Sequence, residues 1–359
     1  STVDDFKPEL NYNWGYDPRQ YLSLKGSFSS DPDHPYVRMK EFKELVSCLH
    51  RNHLRVTLDV VFNHVYDVAE SAFDCLVPYY YFRYNEEGYM SNGSYCGNDF
   101  ASEMPMASRY LVYVIRSLMQ IYGIDGFRFD LMGIIDVATM NKIRNEAIRN
   151  NPSALIYGEG WDMPTMLQGS QKANIHNQGA MPHIGHFNDY FRDVIKGKTS
   201  ESEKYERGYA TGKWENAFAS LAGLTANVLD TPHYKRFFSP DQSINGFETH
   251  DNSTVWDKMH ACCNNEDRAT RIRRQKMMIA ITMVSQGIPF VHAGFEFCDT
   301  KKDNHNSYNA PDEINRMDWE RMEYYQEVVK YFRKATALRR SVSEFCLKTA
   351  LEINEKVKV

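Results

Sequence analysis

From about Pro35 onward, short apolar or β-branched runs alternate with longer stretches of helical period. The runs are Leu54 to Phe62, Gly126 to Leu131, Ala154 to Gly158, a weaker one at Ile184 to Phe187, Ser243 to Phe247, and Ile288 to Ala293. Between them lie helical stretches at Val37 to Asn52, Ser108 to Tyr122, Val137 to Asn150 and Arg268 to Ser285, and a last one runs from Tyr324 to Arg340. Neighbouring strands joined by a helix-length crossover pair in parallel, and the helices then cover the faces of the sheet. The fold class expected is therefore α/β, built from repeated βα units.

Six runs are two short of a closed eight-stranded barrel. The expectation is a (β/α)8 TIM-type barrel that lacks its first two strands in this chain, because only a polar loop precedes the first run. Residues 1–340 are assigned to that barrel. The segment at about 65–105 is rich in Tyr, Asn and Gly and follows the first visible strand, where barrel enzymes place loops that shape a substrate site. No repeat or Pro-rich linker marks another boundary before Ser341, and 341–359 is expected to start a further domain. Ser1 to Leu10 is acidic and polar, unlike a signal peptide, although the chain starts without Met and is expected to be cut from something longer.

Composition removes several classes of function. A net charge of -5 gives no general attraction to phosphate backbones or anionic lipid, and no apolar run approaches the roughly 20 residues of a membrane span. Neither nucleic acid nor membrane is expected as a partner. The 13% aromatic content suits a polyhydroxyl ligand, since flat amphipathic rings stack on the apolar faces of sugars, though most such rings pack cores. Seven cysteines (Cys48, Cys75, Cys96, Cys262, Cys263, Cys298 and Cys346) lack the spacing of a zinc site or a small disulfide scaffold. Reduced thiols in a cytoplasm are the simpler expectation, with secretion the alternative.

Three of the runs end in a carboxylate: Asp130 in GFRFDLMG, Glu159 in IYGEGWD and Asp251 in GFETHDN. In a βα barrel such positions converge on the rim at the C-terminal ends of the strands, so acids far apart in sequence meet in one pocket. Glycoside hydrolysis needs that convergence: one carboxylate attacks the anomeric carbon and a second protonates the leaving oxygen. A strand-terminal acid also serves as a helix cap, so the neighbours decide. Arg128 shares a strand face with Asp130, and an adjacent guanidinium keeps a carboxylate ionised, as a nucleophile must be. A structural Arg–Asp ion pair would look the same in sequence. His64 closes DVVFNH and His250 precedes Asp251, each where an imidazole can donate to hydroxyls or to developing charge.

In that order, DVVFNH, GFRFDLMG, YGEGWD and FETHDN resemble the four signature regions of the α-amylase superfamily of glycoside hydrolases (family 13). Within it, YNWGYDP at Tyr12 to Pro18 resembles the hallmark of type I pullulanases, and NSYNAPDEINRMDW at Asn306 to Trp319 resembles their sugar-binding loop after the eighth strand. The resemblance covers nearly the whole chain and implies a retaining hydrolase of α-1,6 branch linkages in pullulan, amylopectin, glycogen and limit dextrins. It implies Asp130 as nucleophile, Glu159 as general acid/base and Asp251 as transition-state stabiliser. Asp59, His64, Arg128 and His250 would line the cleaved glucosyl site, with Tyr16 stacking on that sugar and Trp161 receiving the branch. Asn306, Tyr308, Asp312 and Asn315 would bind glucosyl units further along the cleft. Family members carry a β-sandwich after the position of Val359, so 341–359 is expected to begin one. No cofactor is required; calcium stays open, because Asn63 matches a position that binds it in many amylases. The partner implied is an α-glucan, acted on by a monomer. The alternatives are an isoamylase-like or α-1,4-acting member of the superfamily, or a glucan-binding protein without catalysis.

Overall fold

The computed structural model describes Asp4, Phe6, Lys7, residues 12–230 and residues 233–358. Most of Ser1 to Leu10, where no leader is expected, thus lies outside the described residues. The chain divides into two compact units, Ser1–His186 and Phe187–Val359. The division falls at β4, inside 1–340, where the sequence has neither a composition shift nor a Pro- or Gly-rich linker to mark it.

In the first unit, β1 (Thr57–Val60), β2 (Gly126–Phe129) and β3 (Leu155–Gly158) alternate with α1 (Pro35–Arg51), α2 (Ala72–Leu76), α3 (Pro105–Tyr122) and α4 (Val137–Asn150). β1 pairs with β2 and β2 with β3, both in parallel, and β4 (Gly185–Phe187) joins β3 through Gly185 and His186. The register sets Asp59 beside Arg128 and Arg128 beside Tyr157, three side chains on one face at one level. The helices form for local reasons. Pro105 opens α3 at a position that has no N–H to lose, and Gly123, at φ 72°, closes it by donating to Met119 O. Its residues Leu111, Val114, Ile115, Leu118 and Tyr122 recur at helical spacing and are all buried. The Asp136 carboxylate caps α4 by accepting from Thr139 N. One core, centred on Phe62, Phe127, Phe129 and Ile156 of the strands and their surroundings, fills this unit.

The 65–105 excursion is packed rather than loose. Asn98 accepts from Val65 N at 3.0 Å and donates to Val65 O at 2.7 Å, and the buried Asp99 carboxylate collects Ser91 Oγ, Gly93 N and Ser94 N. Arg83 grips Glu103 and Thr165. A surface loop whose backbone is tied down by its own buried polar side chains keeps one shape.

In the second unit, β5 (Ser243–Asn245) pairs in parallel with β6 (Ile288–Pro289). Its helices are α5 (Asp189–Ile195), α6 (Ala217–Leu224), α7 (Val255–Cys262), α8 (Arg268–Val284), α9 (Asp312–Asn315), α10 (Trp319–Tyr324), α11 (Gln326–Ser341) and α12 (Ala350–Lys356). β6 is much shorter than the Ile288 to Ala293 run, since Pro289 has no N–H for the ladder, although Phe290 N still reaches Asn245 O. A second core gathers Phe191, Phe247, Trp256, Met259, Ile279 and Val328.

In the tail, residues 343–356 hold a 3-10 turn and α12. The reason is local: Thr349 and Glu352 make a reciprocal capping box, and Ile353 is fully buried. Gln286 accepts from Leu347 N and donates to Glu344 O, which fastens the tail to this unit. No helix among the described residues is long and apolar enough to cross a membrane.

Candidate active site

In the first unit the site is organised by one guanidinium. Arg128 projects from β2, buried, with Nη1 at 2.9 Å from Asp59 Oδ1 and 3.0 Å from Asp130 Oδ1, and Nη2 at 2.7 Å from Glu159 Oε1. Burial alone would favour the neutral form, but the carboxylates of Glu159, Asp59 and Asp130 outweigh it and hold the guanidinium charged. Three acids from three successive strands thus share one cation, which offsets the repulsion between like charges at close range.

The backbone delivers the two deeper acids just past their strands. Asp130 N donates to Val60 O and Glu159 N to Phe129 O, so the parallel ladder runs one step beyond β2 and β3 and fixes where each side chain leaves the sheet. Asn63 then clamps Asp130: its Nδ2 donates to Asp130 O at 2.8 Å and to Oδ2 at 2.9 Å. The other Glu159 oxygen accepts from Leu131 N at 3.1 Å, and Leu131 takes a left-handed backbone (φ 39°) at that turn. Gly133 has no room for a side chain, since a Cβ there would stand 1.9 Å from Trp161 O. Gly160 is equally confined, its Cβ position lying 2.2 Å from the ring of His186, so the EGW corner can be built only with glycine.

Tyr16, from YNWGYDP, donates to Asp59 Oδ2 at 2.5 Å, and the Arg128 guanidinium lies 5.6 Å from its ring centroid. Burial and then Asp59 push its phenol well above the usual range, so the hydroxyl stays protonated. His64 is buried with Nδ1 2.5 Å from Asn63 Oδ1, and burial lowers its pKa to about 4. A neutral imidazole is therefore the form present near pH 7. Trp161 is half-buried on the 133–161 corner. Of the residues that the sequence nominated, Tyr16, Asp59, Arg128, Asp130 and Glu159 form one bonded cluster, with His64 tied to it through Asn63.

The second unit holds the other nominated residues. His250 and Asp251 are half-buried past β5, with the imidazole Nε2 3.6 Å from Asp251 Oδ2. Asp251 N donates to Thr249 Oγ1 at 3.1 Å. Behind them lies a network that sequence reading missed. Lys301, buried, donates to His250 O, and its own N–H donates to Asp257 Oδ2 at 2.8 Å. Glu248 is buried too, accepts from Val255 N, and lies 3.6 Å from His292 Nδ1. Burial, helped by Glu248, raises Asp299 to about 6. In the NSYNAPDEIN loop, Asn306, Tyr308 and Asp312 are exposed, whereas the Asn315 amide donates to Ser307 O and Ala310 O and so folds the loop on itself.

Asn63 does not suit calcium. Its amide nitrogen is committed to Asp130 and its oxygen to His64, and a hard cation needs several free oxygen ligands. Among the described residues, the group that could hold a metal ion is elsewhere, at Asp257, His260 and Asp303, whose ligand atoms lie within 4.8 Å of one another.

Relatives and solved structures match over most of the chain. No family model matches the sequence. A pullulanase of Bacillus subtilis is 42% identical over 351 residues, 98% of this chain and 49% of that protein. Chloroplastic pullulanase 1 of Arabidopsis thaliana is 32% identical over 371 residues, 88% of this chain and 38% of that one. Among solved structures, type I pullulanase from B. subtilis in complex with maltose superposes with a TM-score of 0.97 at 41% identity, over 99% of this chain and 50% of that one. A pullulanase from Anoxybacillus in complex with maltotetraose gives 0.96 at 42%, over 100% and 51%. The chain spans between 38% and 51% of the length of these relatives, and over nearly all of its own length it is a homologue of the type I pullulanases.

Proposed function

We propose that this chain carries the catalytic part of a retaining α-glucan debranching hydrolase, and that it cleaves α-1,6-glucosidic branch linkages in pullulan, amylopectin, glycogen and limit dextrins. The observation that carries this reading is the single buried guanidinium shared by Asp59, Asp130 and Glu159. Asp130, held ionised by Arg128 and oriented by Asn63, attacks the anomeric carbon and forms a glucosyl ester. Glu159, held by Arg128 and by Leu131 N–H, has to take up a proton once substrate is bound; it gives that proton to the leaving oxygen and then takes one from the water that cuts the ester. Asp251, with neutral His64 and with His250, stabilises the oxocarbenium-like transition state through the sugar hydroxyls.

On the same reading, the parallel strands belong to a (β/α)8 barrel, and residues 1–340 make up its catalytic domain. Tyr16, Asp59, Arg128 and Trp161 hold the cleaved glucosyl unit and the branch. Asn306, Tyr308, Asp312 and Asn315 hold further units, and the Asn315 amide nitrogen also shapes their loop. No cofactor enters any step. The relatives solved with maltose and maltotetraose support an oligosaccharide ligand of this class. The test is to digest pullulan and amylose side by side: maltotriose from pullulan, with amylose untouched, is the expected outcome. Release of sugar from amylose would favour an α-1,4-acting enzyme, and cleavage of neither would favour a glucan-binding protein.

A further inference from the structure

The end of α7 carries two adjacent cysteines that the proposed hydrolysis does not use. Cys262 Sγ and Cys263 Sγ lie 3.7 Å apart, and both residues are buried, at 6% and 0% exposure. Most neighbouring cysteines on a helix point to different sides; here the second has left the helical backbone (φ -122°, ψ 37°), and that turn brings the sulfurs together. Their setting favours a thiolate on the first. The Cys263 thiol is close enough to donate to it, and Lys258 and Arg207 supply positive charge, which together lower the Cys262 thiol below its ordinary value. Arg207 Nε also donates to Cys262 O at 2.8 Å. The exposed Asn264 and Asn265 follow at once, so a small reagent needs only the last turn of α7 to fray.

We propose that Cys262 and Cys263 are a reversible modification site, at which a low-molecular-weight disulfide oxidises the pair to a vicinal disulfide. The Cys262 thiolate attacks one sulfur of the reagent, breaks its S–S bond and releases one thiol, which carries off the Cys262 proton. Cys263 then attacks the Cys262 sulfur of the mixed disulfide, loses its own proton and expels the second thiol. The protein pair gives up two electrons and two protons, and the reagent is reduced to two thiols. The product is a labile one. Consecutive Cα atoms stand about 3.8 Å apart across a trans peptide, below the usual disulfide range of about 4.4–6.8 Å, so the ring is easily reduced again. Closing it also twists the backbone that now places Cys263 N on Met259 O and Glu266 N on Cys263 O. Oxidation therefore loosens the C-terminal end of α7, the helix whose Asp257 anchors Lys301 under His250.

The test uses the full chain treated with oxidised glutathione, followed by alkylation, digestion and mass spectrometry. The expected result is a peptide carrying both cysteines that has lost two hydrogens and resists alkylation until dithiothreitol is added. Hydrogen exchange at the end of α7 is expected to speed up about tenfold or more on oxidation. Cys263→Ser is expected to stop at a glutathione adduct on Cys262, and Cys262→Ser to leave Cys263 unmodified. If either variant fails to fold, phenylarsine oxide on the unmodified chain decides, because it binds tightly only where two sulfurs reach one atom. The proposal is overturned if the pair stays reduced while the exposed Cys48, Cys75, Cys96 and Cys346 are modified, or if phenylarsine oxide leaves it free to alkylate.

Discussion

Arg128 holds three of the nominated acids together. Removing it leaves three carboxylates facing one another without a cation, two of them mostly buried, and breaking a buried pair on one side costs about 3–5 kcal/mol. Arg128→Leu is expected to lower stability by that order in chemical denaturation, and Arg128→Lys to recover only part of it, because a point charge cannot bridge three acids. The two acids should separate in their kinetics. Glu159→Gln is expected to lose turnover of natural branches but still form a glucosyl ester from a glucosyl fluoride, whose leaving group needs little protonation, whereas Asp130→Asn should lose both. Equal loss on both substrates would contradict the roles assigned.

His64 also gives a pH signature. Its pKa is lowered from about 6.5 unfolded to about 4 folded, so below the unfolded value the unfolded chain takes up the proton first. Stability is full above about pH 6.5 and falls as pH drops toward 4, by roughly 3 kcal/mol for this group alone. Denaturant midpoints measured across that range should fall with acid, and less so in His64→Gln.

Among the elements, the strands and long helices could be read in the sequence, because period and strand ends are local properties. The acids at the ends of β2 and β3 were legible for the same reason, and so was Arg128 beside Asp130, since residues two apart on a strand share a face. Other features depend on contacts far apart in sequence. Nothing at Lys301 or Glu248 signals burial, and the helix at 350–356 is set by the Thr349–Glu352 cap in a segment too short for a periodic pattern. The Asn315 amide nitrogen closes its own loop, a contact that its local sequence does not announce. The corner between β3 and Trp161 carries a testable demand. Gly133→Ala forces its new methyl against Trp161 O and is expected to cost about 1–3 kcal/mol, read as a lower melting temperature together with a raised KM as Trp161 moves.

At the scale of the whole molecule, each unit has its own core, and each carries part of the nominated residue set: the Arg128 cluster in one, His250 and Asp251 in the other. The sequence offered no sign of that division, because the break at β4 falls within a strand rather than in a linker. It did reveal the ordered acids, and under the proposed double displacement, attack by Asp130 and then by water would invert the anomeric carbon twice. Proton NMR of pullulan digestion, followed from the first minutes before mutarotation, reads that outcome directly. Maltotriose is expected to be released first as its α-anomer; first release as the β-anomer would contradict the proposed double displacement.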